Sequence, residues 1–340
     1  MSSSEWRRDP LSGAWTIIAP GRGERPNAFI SPRTRSGDAS SEICPFCLGN
    51  ETKTPPEVFA IREPGTSPDS PGWRVRVVPN KFPALTRGGP PKSRVRGLFE
   101  SRDGFGVHEV IIDSPGHDRE LADLPADRVR EALDVYVRRI RSLETEDQCR
   151  YIQLFKNKGE EAGASLSHPH SQVVAMPIIP KRIEEEIRRG ERFRRETGAC
   201  FFCRLLEDEM SDGARVVAAN DRFVAYVPFA ARFPYELRIH PRRHTARISG
   251  IGDDEIAGLA DILKTVFGRL KAVLSDPPYN LVLHQAPYSK TALKSRSELN
   301  LFFHWYFEVI PVLTRVAGFE WGTGFHINPV SPEVAASSLR

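Results

Sequence analysis

The chain has 340 residues, 40 % of them hydrophobic and 27 % charged, with a formal net charge of +4 and a pI near 8.8. That length permits two domains, or one duplicated domain, around a large core. The mild and dispersed positive charge suits a site for anionic small molecules better than a nucleic-acid track. No run reaches the roughly 18 apolar residues of a membrane span. The polar start Met1-Ser2-Ser3-Ser4-Glu5-Trp6-Arg7-Arg8 lacks a signal-peptide core. A cytoplasmic protein with neither membrane nor nucleic acid as partner is expected.

In chain order, residues 31–42 and 63–72, rich in Ser, Gly and Pro, flank Cys44-Pro45-Phe46-Cys47 and read as loops. Residues 126–143 have helical apolar spacing, and residues 150–155 and 172–176 read as strands. A charged, solvated helix is expected over 181–196. Cys200-Phe201-Phe202-Cys203 follows, then strands over 222–227 and 236–240. A helix over 253–274 is opened by acidic residues, which suit a helix N-terminus. Strands over 280–284 and 302–310 complete the series. Strands in two clusters, each with a long helix, predict an α+β protein with mainly antiparallel sheets and flanking helices.

Four of the five cysteines form two C-x-x-C pairs, which points to metal rather than disulfides in a reducing compartment. Cys149 is left over and reads as a buried apolar residue. Each C-x-x-C is followed by the same two elements. In the first half these are Glu109 to His117 and then His168-Pro169-His170-Ser171-Gln172-Val173; in the second they are Glu236 to His244 and then His304-Trp305-Tyr306-Phe307-Glu308-Val309. Three matched elements in one order indicate a duplicated module, with halves at 1–180 and 181–340. Two thiolates and two imidazoles per half make a tetrahedral set for zinc. The expected ligands are Cys44, Cys47, His117 and His168, then Cys200, Cys203, His244 and His304. The repeat alignment selects them over His108, His240 and His284, and iron is an alternative in the second set.

In His168-Pro169-His170 two imidazoles stand two residues apart, so on a strand both project from one face. Such a pair serves as two metal ligands, as two surface histidines, or as a site where an imidazole attacks phosphorus among backbone amides of a small-residue loop. His170 aligns with Tyr306 and Gln172 with Glu308. Only the first half therefore keeps the candidate nucleophile.

The Asn157-Lys158-Gly159 turn leading to Ser165 and His168-Pro169-His170-Ser171-Gln172, the Cys44/Cys47 pair, Ser114-Pro115-Gly116-His117 and the late Gly318-Phe319-Glu320 together resemble the galactose-1-phosphate uridylyltransferase family of the histidine-triad superfamily. The chain is similar also to plant-type ADP-glucose phosphorylases. The resemblance implies two histidine-triad-like halves, assembled as a homodimer, and a ping-pong reaction on a nucleotide sugar. His170 would attack the α-phosphorus, expel hexose 1-phosphate and hold the nucleotide until an acceptor, hexose 1-phosphate or phosphate, removes it. The His168 carbonyl is expected to accept from Nδ1 of His170, and zinc on His168 would be structural.

By the same resemblance Gln172 would donate to a phosphoryl oxygen, favouring transfer to phosphate over water, and Ser165 would bond the distal phosphate. Asn157 and Gly159 belong to the substrate turn, Arg22 and Arg25 to a basic element reaching the phosphates, and Asn80 and Phe82 to the nucleoside pocket. Phe319 and Glu320 match the sugar-binding segment, of which only the glutamate is retained. The leading expectation is a UDP-glucose:hexose-1-phosphate uridylyltransferase of galactose metabolism. The alternatives are an ADP-glucose phosphorylase and, from another class, a non-catalytic zinc module that binds nucleic acid or protein.

Overall fold

The computed structural model describes residues 4–24, 29, 44–89, 91–288 and 295–340. The 31–42 loop and Arg25 lie outside the described residues. Ten strands form one antiparallel sheet: β1 Phe59–Arg62, β2 Trp73–Pro79, β3 Val107–Ile112, β4 Tyr151–Lys158, β5 His170–Met176, β6 Val216–Ala219, β7 Phe223–Tyr226, β8 Leu237–Pro241, β9 Tyr279–His284 and β10 Tyr306–Pro311. Their order across the sheet is β6-β7-β8-β10-β9-β4-β5-β3-β2-β1. Read outward from the β4/β9 seam, both sides run fourth, fifth, third, second, first strand of their own half. The two strand clusters expected from the sequence are thus the two wings of a single sheet.

The helices α1 Ala126–Leu143 and α4 Asp253–Leu274 occupy the predicted ranges. In α1 the residues Val129, Leu133, Tyr136 and Ile140 recur at three- and four-residue steps and are buried. In α4 Asp253, Asp254 and Glu255 fill the first turn, where the exposed N–H groups favour negative charge. Glu255 accepts from Gly252 N at 3.2 Å. Both helices pack on one face of the sheet and on each other, and the main hydrophobic core lies beneath them.

The opposite face is covered differently in each wing. Over the first wing lies the Cys44–Cys47 lobe, with Phe46, Trp73, Val78, Val110 and Ile112 as its own small core. Over the second lie α2 Lys181–Thr197 and α3 Phe201–Asp212, packed on Phe302, Phe303 and Tyr306. The α2 helix is not simply the solvated linker its charge suggested. Ile183, Glu186, Ile187 and Gly190 are buried, and a Cβ at Gly190 would stand 2.8 Å from the Phe302 carbonyl. A small sheet of Glu5–Arg8, Trp15–Ile18 and His326–Asn328 flanks the second wing.

Two sequence expectations need correction. The strand expected over 302–310 begins only at Tyr306, because the side chains of Phe302 and Phe303 pack beneath α2 and α3. The matching glutamates are not equivalent either. Gln172 lies opposite Val110 and Glu308 opposite Arg238, so Glu236 corresponds to His108. Glu109 points to the helical face instead, where it accepts from Arg139 at 2.8 and 2.9 Å.

Candidate active site and metal clusters

Side chains of β5 alternate, and the burial follows: Ser171, Val173 and Ala175 face the helices, whereas His170, Gln172 and Val174 face the lobe side. Behind the strand Ser171 joins a buried group around Asp113, which accepts from Tyr136 at 2.7 Å and Lys156 at 3.0 Å. These bonds pin the segment 113–114 to the strand that carries His170.

His168 enters its cluster through Nδ1, which lies 3.5 Å from Cys47 Sγ. Its Nε2–H donates to the Ser114 carbonyl at 2.8 Å, so the proton sits away from the thiols. Burial pushes the His168 imidazole down to about 4, leaving it neutral with a lone pair toward the cysteines. His117 Nδ1 is 3.1 Å from Cys47 Sγ, and its Nε2 meets Ser167 Oγ at 2.9 Å. The donor atoms of Cys44, Cys47, His117 and His168 all lie within 4.8 Å of one another, as do those of Cys200, Cys203, His244 and His304. These are the eight residues selected from the sequence.

The donor chemistry fits a metal ion. Two thiols and two imidazoles converge in each group, and neighbouring thiols resist ionising together without a cation. Burial and the adjacent Cys44 push the Cys47 thiol up to about 11. In the second cluster, Cys200 caps α3, and hydrogen bonds from Cys203, His244 and His304 push its thiol down to about 2. His244 Nδ1 and His304 Nε2 lie 3.3 and 3.4 Å from Cys203 Sγ. Three of the four ring nitrogens turned away from the clusters meet oxygen atoms, of Ser114, Ser167 and Asn300; the fourth, His304 Nδ1, is buried without a partner.

His170 Nδ1 meets the His168 carbonyl at 2.8 Å, as the sequence led us to expect. Phe46 of the lobe stands against its ring at 5.2 Å between centroids. His170 is 6 % exposed, and that burial lowers the proton affinity of its ring below the ordinary imidazole value. Gln172 Oε1 is 2.8 Å from His108 Nε2 and 3.5 Å from Asn80 Nδ2. Asn80 Oδ1 accepts from Phe82 N at 2.8 Å, and Phe82 is 84 % exposed. Gln172, His108, Asn80 and Phe82 thus form one hydrogen-bonded group, on the face of β5 that His170 shares.

Asn157 on β4 faces Asn280 across the seam, its Oδ1 accepting from Asn280 Nδ2 at 2.8 Å. Gly159 follows with φ +85°, and a Cβ there would stand 2.8 Å from Pro278 Cβ. The turn therefore requires glycine. Ser165 is exposed in the loop from this turn to His168. Arg22, Phe319 and Glu320 are placed elsewhere, beside the small sheet. Arg22 lies exposed in the turn Pro20–Glu24, next to Pro329, and Glu320 caps its own helix, Gly318–Thr323, at Ala317 N, 3.0 Å.

The rejected histidines have other partners. His240 is stacked between Tyr226 and Tyr306, and His284 Nδ1 meets Glu186 Oε1 at 3.1 Å. In the second wing, Tyr306 OH donates to Glu186 at 2.9 Å, and Glu308 pairs with Arg182 and Arg232 at 2.8 and 2.9 Å. The face equivalent to the His170 site is filled by α2. Sequence reading considered His108 only as a rival metal ligand; its alternation with Val110 and Ile112 would have placed it beside Gln172.

The model of the galactose-1-phosphate uridyl transferase N-terminal domain matches residues 1–180, and that of a domain of unknown function matches residues 123–339. The chain is 36 % identical to the ADP-glucose phosphorylase of Arabidopsis thaliana, over 99 % of this chain and 93 % of that protein. It is 32 % identical to the galactose-1-phosphate uridylyltransferase of Thermotoga maritima, over 99 % and 98 %. A crystal structure of the Arabidopsis ADP-glucose phosphorylase with bound ADP-glucose superposes with a TM-score of 0.81 at 33 % identity, covering 99 % of both chains. A uridylyltransferase structure superposes at 0.74 with 30 % identity, covering 99 % of this chain and 97 % of the other. With these relatives and this site, the chain belongs to the galactose-1-phosphate uridylyltransferase family of nucleotidyltransferases.

Proposed function

We propose that the protein moves a nucleoside monophosphate from a nucleoside diphosphate hexose to a phosphate-bearing acceptor through a covalent nucleotidyl-His170. The observation that carries this reading is the 2.8 Å bond from His170 Nδ1 to the His168 carbonyl. It places the ring proton on Nδ1 and leaves the Nε2 lone pair for attack, on an imidazole that burial keeps neutral.

Nε2 forms a bond to the α-phosphorus while the bridging P–O bond breaks, and that electron pair departs on hexose 1-phosphate. Nδ1 keeps its proton throughout, and the His168 carbonyl stabilises the positive charge that the nucleotidylated ring acquires. In the second half-reaction an oxygen of the acceptor phosphate bonds to the same phosphorus, and the N–P electrons return to Nε2. The leaving group is already a stable anion, so no general acid is required. Gln172 serves by donating to a phosphoryl oxygen. Ser165 and Asn157, on the loop and strand leading to His170, serve the other phosphate oxygens, and Asn80 and Phe82 the nucleoside. Arg22, Arg25, Phe319 and Glu320 complete the substrate-binding set, within the homodimer the family implies.

Cys44, Cys47, His117 and His168 would hold one zinc ion and Cys200, Cys203, His244 and His304 a second. With all four positions taken by protein, the ion supplies rigidity.

Two substrate readings stand. Adenylyl transfer from ADP-glucose to phosphate is favoured by the higher identity to the plant phosphorylase, by the complete second Cys2His2 cluster and by Ser171. Uridylyl transfer from UDP-glucose to hexose 1-phosphate is favoured by the N-terminal domain match and by Glu320. Incubating the protein with each nucleotide sugar alone and weighing it intact separates them: a retained AMP supports the first, a retained UMP the second. No adduct with either sugar nucleotide would refute the covalent reading, and release of free nucleotide in step with hexose 1-phosphate would indicate hydrolysis.

A further inference from the structure

We propose that His108 is a positioning residue that decides which end of the Gln172 amide meets the substrate phosphate. The inference rests on the nucleotidyl-transfer reading above and goes beyond it. A glutamine amide is nearly symmetric in shape but opposite in chemistry at its two ends. Its NH2 attracts a phosphoryl oxygen, whereas its carbonyl repels one. Something must choose between the two orientations.

The ring of His108 makes that choice through its own proton. Ala84 N donates to His108 Nδ1 at 3.1 Å. A backbone N–H can only donate, so Nδ1 is unprotonated and the neutral ring carries its hydrogen on Nε2. His108 Nε2 lies 2.8 Å from the Gln172 side chain. The atom facing it must accept, which makes it the carbonyl oxygen; a flipped amide would set NH2 against N–H with no acceptor between them.

Asn80 reinforces the assignment. Phe82 N donates to Asn80 Oδ1 at 2.8 Å, so Nδ2 is the end of Asn80 that turns inward. That donor lies 3.5 Å from Gln172 Oε1 and 3.2 Å from His108 Nε2; with His108 Nδ1 accepting from Ala84 N, both nitrogens are donors, and the glutamine oxygen is the acceptor they share. The glutamine oxygen is therefore held between two donors on its β3 side, and its NH2 is turned away from them. Gln172 shares the face of β5 with His170, two residues along the strand. The amide hydrogens are thereby presented on the face where the phosphoryl group must sit.

The arrangement allows a test in which a catalytic orientation and a purely structural anchor give opposite results. In His108→Asn the shorter amide keeps an acceptor near Ala84 N but cannot reach Gln172. In His108→Gln the longer amide places an NH2 where Nε2–H stood and gives up the Ala84 bond. The readout is the single-turnover rate of adduct formation on His170, by intact mass, with ADP-glucose and UDP-glucose as probes. We expect His108→Asn to slow loading by about 100-fold, the scale of losing one oriented donor, with little change in the substrate concentration giving half the maximal rate. His108→Gln should recover most of the rate, and His108→Asn should cost nothing further in a Gln172→Ala background. Loading of His108→Asn at the wild-type rate, a slower His108→Gln than His108→Asn, or multiplicative losses in the double variant would each overturn the proposal. If the wild-type protein forms no adduct with either probe, the transfer reading itself fails and this inference falls with it; an adduct on the wild type keeps the two failures distinct.

Discussion

His168 joins the first Cys2His2 cluster and the proposed nucleophile in one residue: its ring Nδ1 stands 3.5 Å from Cys47 Sγ, and its carbonyl accepts from His170 Nδ1 at 2.8 Å. A side chain fixed by a cluster thus fixes the backbone oxygen that sets the tautomer of His170. His170→Ala should form no covalent adduct and lose about 10⁴-fold or more in turnover, as expected when a nucleophile is removed. Intact mass and steady-state rates check this, and wild-type turnover in the alanine variant would sink it.

The two clusters predict metal content site by site. Cys44→Ser and Cys200→Ser should each reduce bound zinc from about two to about one equivalent per chain, because a structural site tolerates no missing thiolate. Only the first substitution should abolish adduct formation at a temperature where both proteins remain folded. Elemental analysis and intact mass on the same samples decide it; unchanged zinc in Cys44→Ser would contradict the assignment.

Acid should weaken the tie between the turn after Arg8 and strand β8. Burial alone would raise the Asp9 carboxyl, but Arg238 at 2.7 Å and the Ser12 backbone N–H hold it below its ordinary 3.8. A carboxyl depressed by folding stabilises above its unfolded value and loses that contribution as pH falls through the folded one. Asp9→Asn, which leaves the buried Arg238 with only the more distant Glu308 carboxylate at 3.9 Å, should cost about 3–5 kcal/mol at pH 7. The difference from wild type should shrink as pH drops below about 4, measured by urea unfolding across pH. A constant difference down to pH 2 would count against the pair.

The second wing should not be convertible by restoring one residue. Tyr306 occupies the place of His170, but Glu186 and Arg182 of α2 close over it. In a His170→Ala background, Tyr306→His should therefore form no nucleotide adduct. Detection of one by mass would mean that substrate reaches this face despite the helix.

The parts of the fold that depend on local spacing were legible in the sequence. The α1 and α4 ranges follow from three- and four-residue apolar steps, and the eight cluster residues follow from two C-x-x-C pairs and their ordered histidines. Strand β2 is not among the strands the sequence predicts. Its Arg76 is 1 % exposed, neutralised by Glu57 at 2.9 Å and Asp69 at 2.7 Å from a segment that sequence shows only as loop. Trp305 and its neighbours read as strand from composition, yet the backbone from Phe302 to His304 instead delivers an imidazole to a cluster. The role of α2 was hidden for a related reason. Charge on Arg182 and Glu186 looks solvated until Glu308, His284 and Tyr306 are known to face it.

The seam between β4 and β9 makes the halves mechanically inseparable. Asn280, from the wing in which Tyr306 stands at the place of His170, holds the oxygen of Asn157 and also donates to the Ala162 carbonyl at 2.8 Å, at the base of the loop that ends in His168. Residues 1–180 expressed alone would present an unpaired sheet edge to water and a loop missing one of its supports. The second wing thus acts as scaffolding for the first, and a gene-level split at the midpoint would leave neither piece with a finished surface.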